Sequence, residues 1–142
     1  MIVVVGVDEA PISKTVLERG IQEAKWRDAE VHAVHVLQIP IVYGEFPVEM
    51  GHVSEAQRRA VWEPLESTIA GAGIHVERVD LDGYPPDVLV RYASGKEAAL
   101  IAVGTRGRGA FASLVLGSTS LRTIHLAECD VLVVKPAETE EE

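Results

Sequence analysis

Runs of apolar residues alternate with amphipathic stretches along the whole chain. Residues 2–7 (Ile-Val-Val-Val-Gly-Val) are a continuous apolar, largely β-branched run, the pattern of a strand covered on both faces. Asp8 closes it. Ile12, Val16, Leu17, Ile21 and Ala24 then recur at helical spacing, with Lys14, Glu18, Arg19, Gln22 and Glu23 on the opposite face. Pro11 suits a first helical turn, where its missing N–H costs nothing. Val31–Leu37 predicts a second strand. Residues 38–50, with two prolines, one glycine and no periodicity, predict a long loop. Val53, Ala56, Ala60, Val61, Leu65 and Ile69 predict a second helix, which Pro64 must kink or split and which Gly71 and Gly73 end. Ile74–Leu81 predicts a third strand. Gly83, Pro85 and Pro86 open a short helix with Val88, Leu89 and Tyr92 on its core face. Ala99–Val103 predicts a fourth strand, Ser118 to about Ala127 a helix, and Val131–Val134 a last strand.

Strands that alternate with helices predict an α/β fold, a five-stranded parallel sheet with right-handed crossovers and helices on both faces. Ligands in such sheets bind beyond the carboxyl ends of the strands, where the strand order reverses. In the order 3-2-1-4-5, Asp8 after the first strand and Gly104 after the fourth are neighbours at that point. Asp8 is therefore expected to face a ligand cleft as a polar strand-end group with little part in stability.

Length and composition narrow the class. With 142 residues, 47% hydrophobic and 25% charged, the chain reads as one globular domain over 1–137 with an acidic tail over 138–142. The single cysteine, Cys129, excludes an internal disulfide framework. The apolar runs are too short to span a membrane, and the start lacks the basic region and cleavage site of a signal peptide, so a cytoplasmic protein is expected. Thirteen basic against 22 acidic residues give a net charge of −9, which argues against nucleic-acid or anionic-membrane partners. Yet no Asp or Glu occurs from Ala98 to Ala127, while Arg106, Arg108 and Arg122 do. That stretch reads as a local home for an anion.

The stretch also holds the informative glycines, Gly104-Thr105-Arg106-Gly107-Arg108-Gly109 and then Gly117-Ser118-Thr119-Ser120. Glycines at a strand end allow positive φ and let a ligand touch backbone N–H groups. Gly117 and the hydroxyl residues after it open a helix whose first turn offers free donors and a positive dipole end. Together they form a two-sided cradle for phosphates. Taken singly, each part is ordinary: glycines make turns, and Ser118 reads as a helix cap. No lysine precedes Ser118, which excludes a P-loop, and there is no Gly-x-Ser-x-Gly elbow. Gly107-x-Gly109-x-x-Ala112 fits the dinucleotide fingerprint only loosely, because the acid expected about 20 residues on, Asp130, precedes a strand. His32 and His35 point to opposite faces of one strand, and no zinc spacing occurs, so the histidines read as structural. Cys129 reads as an inert thiol.

The spacing Gly104-x2-Gly107-x9-Gly117-Ser118 resembles the nucleotide-binding signature of the ATP-binding branch of the universal stress protein family. Val4-Val5-Gly6-Val7-Asp8 is similar to that family's first strand, Val34-His35-Val36 to its second strand end, Gly83-x-Pro85 to its third-helix entry and Cys129–Val134 to its last strand. The resemblance covers nearly the whole chain. It implies a Rossmann-like fold of the adenine nucleotide alpha-hydrolase-like type, ATP held with Mg2+ or Mn2+, and a homodimer paired through the last strand. On it, Gly104, Gly107, Gly117, Ser118 and Thr119 would hold ribose and phosphates, Asp8 would sit by the adenosine, and the backbone of Val36 would meet the adenine edge. The chain departs from the pattern at Glu9-Ala10, where the family often has glycine or serine after the aspartate. A carboxylate there repels a triphosphate unless it points outward or shares a metal. No catalytic base is evident, so hydrolysis, if any, is expected to be slow. The implied function is a nucleotide-dependent stress-response module read by a protein partner that the sequence does not name. The rival is a dimeric interaction protein of the same fold with no nucleotide.

Overall fold

The computed structural model describes residues 1–38, 50–105 and 117–136, without the side chains of 50–54. The tail expected over 138–142, the glycines and arginines of 106–109, and all but the ends of the loop expected over 38–50 lie outside the described residues. Five strands, β1 (Ile2–Val7), β2 (Glu30–Leu37), β3 (Val76–Asp82), β4 (Leu100–Gly104) and β5 (Asp130–Val134), form one parallel sheet in the order β3-β2-β1-β4-β5. This is the expected order, and it places the ends of β1 and β4 side by side, with Val5 opposite both Ala33 and Ala102.

Helices cover both faces because β1 and β2 are apolar on both. Val3, Val5 and Val7 pack in one core under α1 (Ile12–Arg27) with Val61, Trp62 and Leu65. Val4, Val34, Ile101 and Val103 pack in a second core with Leu89 and Ala93 of α4 (Pro85–Gly95). Pro64 does split the second helix: α2 (Met50–Trp62) passes through a 3-10 turn at Glu63–Leu65 into α3 (Glu66–Ala70). α2 begins at Met50, one residue inside the expected loop. α1 ends on Asp28 in the left-handed region (φ 54°), where its N–H reaches the Ala24 carbonyl. Aspartate tolerates that conformation better than most side chains.

The face of α4 differs from the periodicity reading. Its buried row is Pro86, Leu89 and Ala93, at i, i+3 and i+7, and Val88 and Tyr92 are only half-buried. Tyr92 packs against the second core, as expected, and its hydroxyl bonds His32 Nδ1 at 2.6 Å. His32 and His35 do face opposite sides: His32 meets Tyr92 of α4, whereas His35 lies on the side of Trp62 and bonds Asp80. Burial pushes the half-buried Cys129 thiol up, which keeps it protonated and unreactive at neutral pH. Among the described residues no helix is long and apolar enough to cross a membrane.

The two sheet edges differ in chemistry. β3 carries Glu77, Arg78, Asp80 and Asp82, the charges with which an edge strand resists pairing. β5 carries Asp130 and then only valine and leucine, with Val131, Leu132 and Val133 half-buried.

Candidate functional site

A cleft of about 720 Å3 opens at the carboxyl end of the sheet. Its floor is the ends of β1, β2 and β4, and its walls are the starts of α1, α4 and α5 (Ser118–Leu126) together with Gln57 and Val61 of α2. Every helix of a parallel α/β unit points its N-terminus at this side, so three positive dipole ends converge here. They are not equivalent.

At α1 the cap is Pro11, which has no N–H, the Ser13 N–H bonds the Ala10 carbonyl (3.0 Å), and the turn ahead of the helix is closed by a carboxylate. Asp8 Oδ1 accepts the Ala10 N–H (2.8 Å) and the Ser13 hydroxyl (3.0 Å), while Ser13 Oγ accepts the Asp8 N–H (2.8 Å). At α4 the first two helical residues are Pro85 and Pro86, which have no N–H, and Asp87 adds a carboxylate to the first turn. At α5 the first turn holds no acid, Gly117 stands at the cap position without a side-chain cap, and the first intrahelical bond joins the Leu121 N–H to the Gly117 carbonyl (3.1 Å). The amides ahead of it have no carbonyl in their own helix to bond. Of these three starts, only that of α5 has neither a proline nor a carboxylate at or bonded to its first turn.

Two hydrogen bonds hold α5 against the sheet. The Gly117 N–H reaches the Thr105 carbonyl (2.6 Å), and Ser120, 2% exposed, donates its hydroxyl to the Gly104 carbonyl (2.5 Å). Ser120 is a positioning residue that the sequence reading did not single out. A buried hydroxyl in the first turn of a helix after a glycine loop was the available signal.

The structure brings together Asp8, Val36, Gly104, Gly117, Ser118 and Thr119 around the one cleft. Gly107 lies outside the described residues, as do Arg106 and Arg108. Four expectations need correction. Neither Gly104 nor Gly117 has positive φ; Gly117 is extended, at φ −65° and ψ 159°. Gly104 is a glycine because α1 crosses close above it: a Cβ there would lie 3.1 Å from Ile12 Cδ1 and 3.3 Å from Val16 Cγ2. Ser118 is the first helical residue and not the cap. Arg122 belongs to no anion site, since its guanidinium lies 2.7 Å from Asp87 Oδ1, 3.4 Å from Oδ2 and 5.9 Å from the Tyr84 ring centre. That pair holds the Asp87 carboxyl below its usual range, so its small contribution is present at neutral pH and is lost on acidification through the lowered value.

Asp8 also does more than face the cleft. Its carboxylate closes the β1–α1 turn through Ala10 and Ser13. Asp8→Ala is therefore expected to lower stability by about 1–2 kcal/mol as well as to weaken any ligand held at the turn. Urea denaturation of the variant beside wild type checks the first part, and unchanged stability would show the turn bonds to be dispensable.

A family model described as the universal stress protein family matches residues 1–135. A universal stress protein of Methanocaldococcus jannaschii is 32% identical over 97% of this chain and 84% of its own length. A Mycolicibacterium smegmatis relative is also 32% identical, but the chain spans only 45% of it. Among solved structures, the universal stress protein of Archaeoglobus fulgidus in complex with dAMP superposes with a TM-score of 0.67 at 27% identity, covering 95% of this chain and 98% of that one. A universal stress protein in complex with cAMP superposes with a TM-score of 0.73 at 23% identity, covering 96% and 98%.

Proposed function

Since the chain belongs to the universal stress protein family, we propose that its cleft binds an adenine nucleotide, ATP with Mg2+ or Mn2+, as a regulatory ligand. The observation that carries this reading is the inequality of the three helix starts. Phosphates are received at Gly117, Ser118 and Thr119, beside Gly104, because α4 opens on two prolines and an acid, and the start of α1 carries Pro11 and the Asp8 carboxylate bonded to Ser13. The base then lies toward the end of β2, where the Val36 backbone offers an edge. The dAMP held by the Archaeoglobus fulgidus relative supports a nucleotide as the ligand class.

The divalent ion fits this chain as a passenger of the phosphates. Among the described residues no group of three or more His, Cys, Asp or Glu could hold a metal. Mg2+ in such sites keeps several waters and takes one or two carboxylates besides the phosphates. Asp8 is the cleft carboxylate nearest that role, and Glu9 is exposed at the rim. Titration calorimetry of the full chain with ATP and Mg2+ tests the reading: saturable binding is expected. Absence of binding would leave a same-fold interaction protein without nucleotide. A phosphate-release assay on the same sample reads any hydrolysis.

Assembly is part of the proposal. An apolar edge strand is an aggregation hazard unless it is paired, and antiparallel pairing of β5 with its twofold copy gives a closed dimer. The Val134 carbonyl bonds the Thr105 N–H (3.0 Å), so residue 134 turns its backbone groups to the β4 side. Val133, one residue earlier, turns its own outward. Val133→Pro therefore removes an outer donor and leaves the pairing to β4 whole. Sedimentation velocity at micromolar concentration is expected to show a dimer for wild type and a folded monomer for Val133→Pro. A wild-type monomer would overturn the pairing and leave the nucleotide site standing.

A further inference from the structure

The base end of the cleft holds a buried histidine that the reading above does not use. His35 of β2, 6% exposed, stands directly across the sheet from Asp80 of β3, with its Nδ1 3.1 Å from Asp80 Oδ1. A carboxylate only accepts, so the proton of this bond is on Nδ1. The same carboxylate accepts the Trp62 indole N–H, 3.0 Å to Oδ1 and 3.3 Å to Oδ2, and the Arg78 guanidinium lies 5.6 Å from the Trp62 ring centre. Asp80 is thus held from α2 and in turn holds the imidazole. In that tautomer Nε2 carries a lone pair and accepts hydrogen bonds. His35 lines the cleft beside Val36, Gln57 and Val61. With Nδ1 turned to β3, the Nε2 edge is what the ring can present to a ligand.

Resting on the reading that the cleft takes a nucleotide, we propose that His35, oriented by Asp80, selects bases that carry an exocyclic amino group. Nε2 accepts an N–H from the amino group of an adenine-type base. A 6-oxopurine sets an oxygen lone pair against the nitrogen lone pair and leaves the buried acceptor unpaired, which is costly.

Calorimetric titration of the full chain with AMP and with IMP tests the assignment. Wild type is expected to bind AMP at least about tenfold more tightly. Asp80→Asn inverts the network: the new carbonyl takes the Trp62 proton, the amide N–H turns to Nδ1, and the imidazole proton moves to Nε2. The AMP-to-IMP preference then falls to parity or reverses. His35→Phe keeps a ring without an acceptor and flattens the preference through lost AMP affinity. Nitrogen-15 NMR of the imidazole reads the tautomer directly, which a purely structural role of the pair would not couple to ligand choice. An unchanged preference in Asp80→Asn with a shifted tautomer overturns the proposal, as does a wild type with the proton on Nε2. Equal binding of AMP and IMP by wild type sinks this proposal alone, whereas binding of neither sinks the nucleotide reading and this proposal with it.

Discussion

Gly117→Asp is expected to abolish nucleotide binding while leaving the fold as stable as before or slightly more so. Residue 117 is the cap of α5 in an extended conformation that any L side chain adopts. Aspartate is among the best residues for that position, better than glycine by a few tenths of a kcal/mol, and its charge complements the helix dipole. The backbone bond from residue 117 to the Thr105 carbonyl needs no glycine. The same carboxylate would occupy the first-turn donors and set a negative charge where phosphate must sit. A like charge within about 4 Å near a protein surface opposes binding by roughly 4 kcal/mol, on the order of a thousandfold in affinity. Thermal denaturation and calorimetry on one preparation separate the two effects. Retained affinity would mean that phosphates are not received at α5.

Gly20→Val has the largest expected cost to the fold. A Cβ at position 20 would lie 2.3 Å from Val5 Cγ2, closer than any real contact. Neither partner can give way: Val5 is fully buried at the centre of β1, between β2 and β4, and α1 crosses it on a row of buried residues, Val16, Leu17, Ile21 and Ala24. Forcing extra methyl groups into a packed core costs about 1–3 kcal/mol even where neighbours move, and here α1 must lift from the sheet. The expected result is a loss of at least about 3 kcal/mol in urea denaturation, or failure to fold. Because α1 also carries Ile12 and Val16 over Gly104, a lifted helix would deform the cleft floor as well. Wild-type stability in the variant would show that α1 does not seat where β1 and Gly20 meet.

Much of this architecture was legible from periodicity. The fully apolar runs of β1 and β4 have no other use than a sheet covered on both sides, and Pro64 could not continue a helix. The order 3-2-1-4-5 then put Asp8 beside Gly104. What periodicity could not carry was the pairing of polar groups across elements. Arg122 read as an anion ligand because its stretch lacks acids, yet its partner, Asp87, is on another helix. Asp80 and His35 are far apart in sequence and meet only through the register of β2 with β3. On α4 the expected Leu89 and Tyr92 do pack on the core, but Pro86 and Ala93 join them where Val88 is expected, because only the position of the sheet decides among residues of similar hydrophobicity. Gly104 and Gly117 read as glycines for conformational freedom, whereas the first leaves room for α1 and the second stands extended at the cap of α5. Composition cannot distinguish those reasons.

The unlike edges of the sheet set how far this molecule can grow. A parallel sheet has two open borders, and a chain apolar at both would have two sticky ends, the valence of a filament. Here one border, β3, carries Glu77, Arg78 and Asp82, and on the proposed pairing only β5 accepts a neighbour. On that pairing the unit has a valence of one. Whatever strand pairs with β5, a copy or another chain, terminates the assembly at that step. Removing the charges of Glu77 and Asp82, with Asp80 left to hold His35, would create a second sticky end and open the route to fibres.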